Sequence, residues 1–540
     1  MKKILIGLGI VFLALLTLSK IAELWLETNL QSMINANPDR AYDVSYESMN
    51  FHTFLKGITL DQMQIQPLNI DNGTVIRGSV SQATINGVVW LDLLFNKRLN
   101  IEEISFNAPV FEITISEDTT RKTSGRGMQD LFGDVLSRGK LSQFSIYSGS
   151  VLILEGSNGG VLGQIRNMNI FADGLQTDIV QLNHLIPFEL TSLATTIDTA
   201  FFQINEYTNI SIGEFDYDTK KEHLKLQNIS VTFTEDWKKV SKRIGKQIDL
   251  ITFDLGELSI NGLESSSSFY SDLDINAGSV NISGLDLHDH RDKNVPRPPD
   301  TEKPMFEGMI EAIPIVLKID TINLKDVNLS YTELGEDKTQ AGTANFNDIN
   351  GVITGITTIQ ELQQEYGHFT ASLNAKLNGV AAMKVKLEVP YEQEAFTVTT
   401  TVGHMDFAML NTSSIPMADI EFESGQMEKM EFYMTASSTS SENRMVLDYR
   451  DLKMGVIKDT KKEAGKRKEL FSTVANSAVR ADNLPDDKKY VIAEYTSERN
   501  IYRGPFNFIW QGVKDGMAHI IPVGSVRMVI GATGKKKKGK

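Results

Sequence analysis

Strict alternation of apolar and polar residues constrains this chain more than any other feature of its sequence. The clearest stretch runs from residue 383 to residue 389. Its apolar residues are Met383, Val385, Leu387 and Val389, and the charged residues between them are Lys384, Lys386 and Glu388. Shorter stretches of the same kind recur from Tyr42 onward, separated by turn residues about every eight to twelve positions. A period of two is typical of strands with one buried and one solvated face. The sequence therefore predicts a mainly β protein with an antiparallel sheet and few short helices.

A long amphipathic sheet has to bury its apolar face against something. Closed sandwiches or a barrel would bury that face internally. An elongated sheet that is open and curled would leave an apolar groove along its length, with Met383, Val385, Leu387 and Val389 as candidate members of its wall. The pattern alone leaves both arrangements open, and the curled groove is the one we predict.

The N-terminus predicts a membrane anchor over residues 1–27. Lys2 and Lys3 precede an uncharged apolar run that begins at Ile4. The predicted anchor contacts are Ile4, Leu8, Phe12, Leu16 and Trp25. Basic residues before the helix and acidic residues after it place the N-terminus in the cytoplasm and the bulk of the chain outside. A cleaved signal peptide is the alternative, because Thr17-Leu18-Ser19 resembles a cleavage site.

Composition narrows the classes of function. The chain has 540 residues and a formal net charge of −15, which argues against nucleic-acid binding because that needs a basic surface. It contains no cysteine, which rules out disulfides, thiolate metal sites and cysteine nucleophiles. A cysteine-free chain also suits a bacterial envelope compartment, where free thiols are oxidised.

Composition shifts divide the chain into segments. The anchor helix is expected to continue amphipathically to about residue 36, before Pro38. Residues 40–290 and 305–457 form two β-rich regions, and residues 291–304 form a charged linker that carries four prolines. Residues 458–489 form a second charged linker. Short helices are expected at about 128–138, 235–247 and 306–313.

The last segment, residues 490–540, combines terminal strands, an amphipathic helix and a basic tail. Apolar residues recur at helical spacing behind Gly504-Pro505, a pair that suits a helix start. Trp510 and the lysines Lys535, Lys536, Lys537 and Lys538 are candidate contacts with a membrane surface. A merely solubilising role for the lysine run is an equally good interpretation.

No stretch of the sequence predicts catalysis. His288-Asp289-His290 with Asp292 is the one cluster that suggests a metal, and we interpret it as a loop beside the proline-rich linker. The glycine-rich run 156–163 lacks the spacing of a phosphate-binding loop and is interpreted as a hairpin turn. We therefore predict no enzyme activity, no cofactor and no metal site.

Several segments together resemble the AsmA-like family of bacterial envelope proteins. The opening 42–46 and 54–61, directly after the predicted anchor, is similar to the family's opening strands. Residues 91–110 are similar to its next element, and residues 327–333 with 342–346 and 406–411 are similar to segments that recur in its Bacteroidetes-type members. The resemblance is a diffuse pattern over most of the chain and includes no catalytic motif.

The resemblance implies an elongated β-groove tethered in the inner membrane, with the bulk of the chain in the periplasm. Related bridge-like proteins are associated with phospholipid movement toward the outer membrane or with outer-membrane assembly. The expected function is therefore non-enzymatic binding or conduction of phospholipid acyl chains. The alternative is a periplasmic scaffold or assembly factor that acts through envelope protein partners.

Overall fold

The computed structural model describes most of the β-rich part of the chain. Its described ranges are 42–52, 57–68, 74–89, 100–115, 140–175, 190–264, 274–456 and 479–523, with single positions between 17 and 35. Within these ranges the protein is mainly β and contributes 22 strands to a mixed sheet. The prediction of a mainly β protein is therefore confirmed.

The chain divides into two compact units. The first comprises residues 1–227 and 263–273, and the second comprises residues 228–262 and 274–540. The strands that begin in the first unit are β1 (Tyr42–Ser45), β2 (Ser48–His52), β3 (Gly57–Pro67), β4 (Val75–Asn86), β5 (Asn100–Ile115), β6 (Lys140–Glu155), β7 (Val161–Leu175), β8 (Ser192–Asn205), β9 (Thr208–Ile212), β10 (Glu214–Asp218) and β11 (His223–Phe233), and β11 continues into the second unit.

The remaining strands carry the second unit. They are β12 (Leu250–Glu264), β13 (Asp274–Asp292), β14 (Val316–Leu334), β15 (Gly342–Thr357), β16 (His368–Leu377), β17 (Ala381–Pro390), β18 (Phe396–Val402), β19 (Met405–Asp406), β20 (Ile420–Ala436), β21 (Ser440–Val456) and β22 (Ala493–Glu498).

The labelled helices are short, apart from the last. They are α1 (Trp237–Ile244), α2 (Phe306–Glu311), α3 (Gln360–Tyr366), α4 (Asn411–Ala418) and α5 (Pro505–Ile520), and a 3-10 turn (Phe407–Leu410) precedes α4. Three predicted helices are thus confirmed, at 235–247, at 306–313 and behind Gly504-Pro505. The helix predicted at 128–138 lies outside the described residues.

Strand pairing shows that the sheet, predicted as antiparallel, is mixed. β5 pairs with β6 in parallel, and β13 pairs with β14 in parallel. Parallel neighbours need a connection that returns the chain to the same end of the sheet, which a hairpin turn cannot supply. The segment 293–315, which contains the prolines and α2, makes that return between β13 and β14. Part of the predicted linker 291–304 is therefore a crossover, and its first two residues, Arg291 and Asp292, complete β13.

Each unit has its own core. In the first unit, the largest core cluster lies on β3 and β4 and includes Leu60, Val80 and Ala83. In the second unit, the core lies between the β14–β22 part of the sheet and the elements packed on it, and Phe396, Phe432 and Met445 are fully buried within it. The second core is the larger, and it contains the strand with the clearest alternation in the sequence.

Candidate functional site

The candidate site begins on β17, where the two faces of the strand differ sharply. Lys384, Lys386 and Glu388 are exposed, and Met383, Val385 and Leu387 are half-buried against the core of the second unit. The fourth residue of the predicted apolar face, Val389, is fully buried. One face of this strand is therefore apolar along its whole length, and its burial is incomplete over the central residues.

The register extends this apolar face across neighbouring strands. Residues directly opposite one another in a sheet point to the same face, so a row of paired residues traces one surface. One row runs through Ile322, Ile353, Ala371, Leu387, Val398 and Met434. The next row runs through Leu324, Gly351, Leu373, Val385, Thr400 and Phe432. Apart from Gly351 and Thr400, the members of both rows carry apolar side chains, so the face is predominantly apolar from β14 to β20.

Helix α5 covers one end of this surface. A Cβ on Gly512 would lie 3.0 Å from the Phe432 ring, and one on Gly516 would lie 2.7 Å from the Met445 sulfur, so the helix backbone sits directly on β20 and β21. The hydroxyl of Tyr495 donates a hydrogen bond to the Gly512 carbonyl oxygen at 2.6 Å. Under the helix the face is fully buried, whereas on β17 it is only half-buried. The same sheet face therefore passes from a sealed core to a partly accessible surface within a few strands.

The first unit shows comparable rows. One runs through Phe111, Val151, Ile165, Ala200 and Ile212, and another through Ile113, Ile153, Gly163, Phe202 and Ile210. Apart from Gly163 and Ala200, the members of both rows are half-buried. Large apolar side chains with intermediate exposure are thus a property of both units.

Paired β-bulges on β14 and β15 keep the apolar face of the second unit continuous along these strands. Asp326 and Asp348 adopt positive φ angles of 53° and 50°, and the register shifts beside each of them. The N–H of Asp326 donates to the Asn350 side-chain oxygen at 3.1 Å, and the N–H of Asp348 donates to that of Asn328 at 3.0 Å. A bulge changes which face the following residues occupy and bends the strand. The apolar residues before and after each bulge can therefore stay on one face although their spacing in the sequence changes.

These bulges were not predicted, although the sequence carries a signal for them. Both strands contain Asp, a β-branched residue and Asn in succession, at 326–328 and 348–350. Asp and Asn tolerate positive φ better than other residues with a side chain. Two such tripeptides in strands that pair with each other indicate reciprocal bulges.

The predicted membrane contacts are only partly within the described residues. Trp510 lies on α5 with 56% of its surface exposed, and Trp25 is also exposed, in a stretch whose described positions are helical up to Ser32. The other predicted contacts lie outside the described residues, namely Ile4, Leu8, Phe12, Leu16 and Lys535 to Lys538. Within the described part of the chain, no helix combines the length and the apolar character that a membrane crossing requires.

The His288–Asp292 cluster is part of β13, which corrects its interpretation as a loop. The His290 ring stacks on Trp237 with centroids 5.0 Å apart, and burial lowers its pKa. Burial and the neighbouring Asp249 carboxylate raise the pKa of Asp289 to about 6. Among the residues that the structure describes, no group of three or more candidate ligands is placed to hold a metal ion. The run 156–163 includes the turn of the β6–β7 hairpin, as predicted, and the Glu155 N–H donates to the Gly160 carbonyl at 2.8 Å.

Comparison with known proteins adds no assignment: no protein-family model matches the chain, and no curated protein matches its sequence.

Proposed function

We propose that this protein binds phospholipid acyl chains on the partly accessible apolar face of its sheet and acts without catalysis. The observation that carries the proposal is the pair of register rows from β14 to β20, which are sealed under α5 and half-buried on β17. A surface of this kind suits a ligand that is apolar and has no fixed shape. The half-buried rows of the first unit support the same use.

The energetics of such binding are additive and do not depend on one residue. Each methylene group removed from water contributes about 0.8 kcal/mol. Strands are spaced about 4.8 Å apart, so the four strands from β14 to β17 offer roughly 14 Å of apolar surface. Single substitutions that keep the face apolar should therefore change binding little, whereas a charge should disrupt it.

The proposal includes the cellular setting. We propose an AsmA-like protein held in the inner membrane by residues 1–27, with the β-rich units in the periplasm, where lipid binding would support outer-membrane assembly or lipid homeostasis. The lysine pair at the N-terminus, the apolar run that follows it and the absence of cysteine support this setting. The proposed role requires no cofactor.

Photo-crosslinking in cells tests lipid binding with the whole chain. A photoreactive phenylalanine analogue is introduced at Leu387, on the apolar face, and in a matched variant at Lys386, on the opposite face of the same strand. Mass spectrometry of the irradiated protein then identifies the adducts. We expect phospholipid adducts at position 387 and none at position 386.

Equal labelling at the two positions, or labelling at neither, would contradict the proposal. Protein adducts without lipid at position 387 would instead favour the scaffold alternative, in which this face binds envelope proteins. A crosslink from 387 to residues of this chain alone would show that the face is closed internally.

A further inference from the structure

Helix α5 carries an outward stripe that its packing does not explain. Phe506 is 70% exposed and Trp510 is 56% exposed, and Lys514 is also exposed. These residues are spaced four apart, so they lie on one side of the helix. The opposite side is buried and consists of Pro505, Phe508, Gly512, Gly516 and Ile520. The two large aromatic residues therefore stay mostly exposed beside the core that holds the helix.

The helix that presents this stripe is firmly held. The Tyr495 hydroxyl bonds to the Gly512 carbonyl, and the Ser497 hydroxyl donates to the Asp515 carboxylate at 2.6 Å. The Phe506 ring also makes an edge contact with the Phe306 ring, with centroids 5.1 Å apart. Exposed aromatic rings on a fixed helix form a preorganised surface, which lowers the entropic cost of binding.

The chain that follows the helix has the charge that an anionic surface attracts. Residues 524–540 contain Arg527, Lys535 to Lys538 and Lys540 and no acidic residue, in a protein whose net charge is −15. A sequence of this charge beside the helix favours an anionic surface as the partner of the stripe.

We propose that the Phe506–Trp510–Lys514 stripe docks on the surface of an anionic lipid bilayer. Aromatic side chains favour the boundary between head groups and acyl chains, and lysines are attracted to anionic head groups. The proposal concerns a surface outside the apolar sheet face and does not require that face to bind lipid. A negative result for vesicle binding would therefore not contradict the proposed function. A negative crosslinking result at position 387 would likewise not contradict docking of the stripe.

Because the chain contains no cysteine, a single introduced cysteine can be labelled selectively. A single cysteine at Asn507, an exposed position beside the stripe, is labelled with a polarity-sensitive dye in the full-length chain. The labelled protein is reconstituted into nanodiscs of phosphatidylcholine and mixed with vesicles of phosphatidylcholine alone or with added phosphatidylglycerol. We expect a blue shift with the anionic vesicles, quenching when those vesicles carry a quencher lipid, and a weaker response at high salt.

Matched variants separate the stripe from general effects. Phe506→Ser with Trp510→Ser, in the Asn507→Cys background, should lower the affinity for anionic vesicles by about tenfold or more. The control pair, Ile204→Ser with Val380→Ser, changes apolar residues of similar exposure, 57% and 52%, and should leave the affinity unchanged. A dye at Thr496→Cys, exposed on β22, should not shift.

Three results would overturn the proposal: no shift with any vesicle, an equal shift with neutral vesicles, or unchanged affinity in the Phe506→Ser, Trp510→Ser variant. An unchanged free energy of denaturant unfolding in that variant shows that the second unit still packs as before, so a loss of binding reports on the stripe itself.

Discussion

The hydroxyl of Tyr495 occupies the space that a side chain on Gly516 would need. Tyr495 lies on β22 and Gly516 lies one turn after Gly512 on α5, whose carbonyl accepts the hydrogen bond from the same hydroxyl. The approach of helix to sheet is therefore set by one hydroxyl and two glycines. This contact closes the core at the end of the sheet that α5 covers.

Replacement of Gly516 by alanine should destabilise the second unit. The new Cβ would also meet the Met445 sulfur at 2.7 Å, so the helix has to move away from β21 and β22. Overpacking of this kind typically costs about 1–3 kcal/mol. Denaturant unfolding followed by circular dichroism measures the change. Lys514→Ala, on the exposed side of the same helix, serves as the control, and a similar loss in both variants would contradict the packing argument.

A charge on the apolar face of β17 distinguishes an open surface from a closed core. Val385→Asp should leave the protein folded and abolish the phospholipid adducts at position 387, because a carboxylate beside Leu387 repels acyl chains. Lys386→Asp introduces the same charge on the solvated face and should leave the adducts unchanged. If the face is closed internally, Val385→Asp should unfold the unit, and a large loss in thermal stability would show this.

Asn483 is a buried polar residue whose removal should be costly. It is fully buried, and its amide group donates to the carbonyls of Leu447 and Val491 and accepts from the Val491 N–H. Asn483→Ala leaves these backbone groups without partners, and each buried unsatisfied group costs about 1–3 kcal/mol. We expect a loss of at least about 2 kcal/mol in denaturant unfolding. Asn507→Ala, on the helix surface, should change stability by less than about 0.5 kcal/mol.

The carboxyl of Asp289 should make stability depend on pH. Its pKa is about 6 in the folded state and 3.8 without the fold, because burial and Asp249 disfavour the ionised form. A raised carboxyl pKa means that the folded state binds the proton more tightly. Above about pH 6 the ionised carboxyl therefore lowers the free energy of unfolding. This destabilisation decreases as the pH falls from about 6 toward 4, because the folded state then binds the proton.

Asp289→Asn should remove this dependence. The variant should be more stable than the unchanged protein at pH 7–8, by roughly 1–2 kcal/mol, and the difference should vanish near pH 4. Unfolding free energies measured from pH 4 to 8 test the expectation. Asp486→Asn, at an exposed position, is the control, and parallel curves for the Asp289→Asn variant and the unchanged protein would refute the assignment.

Local pattern was sufficient to predict much of the fold. The alternation from Met383 to Val389 correctly predicts a two-faced strand, and Gly504-Pro505 correctly predicts the start of the last helix. Both features depend on neighbours in the sequence. Strand direction depends instead on the connection between two strands. The parallel pairs were not predicted because each requires a crossover that returns the chain to the same end of the sheet.

Local sequence pattern also could not predict how deeply the apolar face of β17 is buried. The sequence around Val385 shows which side is apolar, but the extent to which that side is covered depends on α5, more than a hundred residues later. The His288–Asp292 segment was interpreted as a loop because prolines follow it closely. It remains a strand because its backbone pairs with β14 as far as Asp292, and the prolines begin only after that residue.

The pairing order has a consequence for how the second unit assembles during synthesis. From β14 to β18 each strand pairs with the one that precedes it, and β20, β21 and β22 extend the same series. Each new strand therefore meets a template already present, and neighbouring contacts of this kind form early. Helix α5 emerges last, so a ribosome-bound chain that ends before residue 505 exposes Phe432 and Met445. Apolar surface exposed at this stage favours aggregation until α5 covers it.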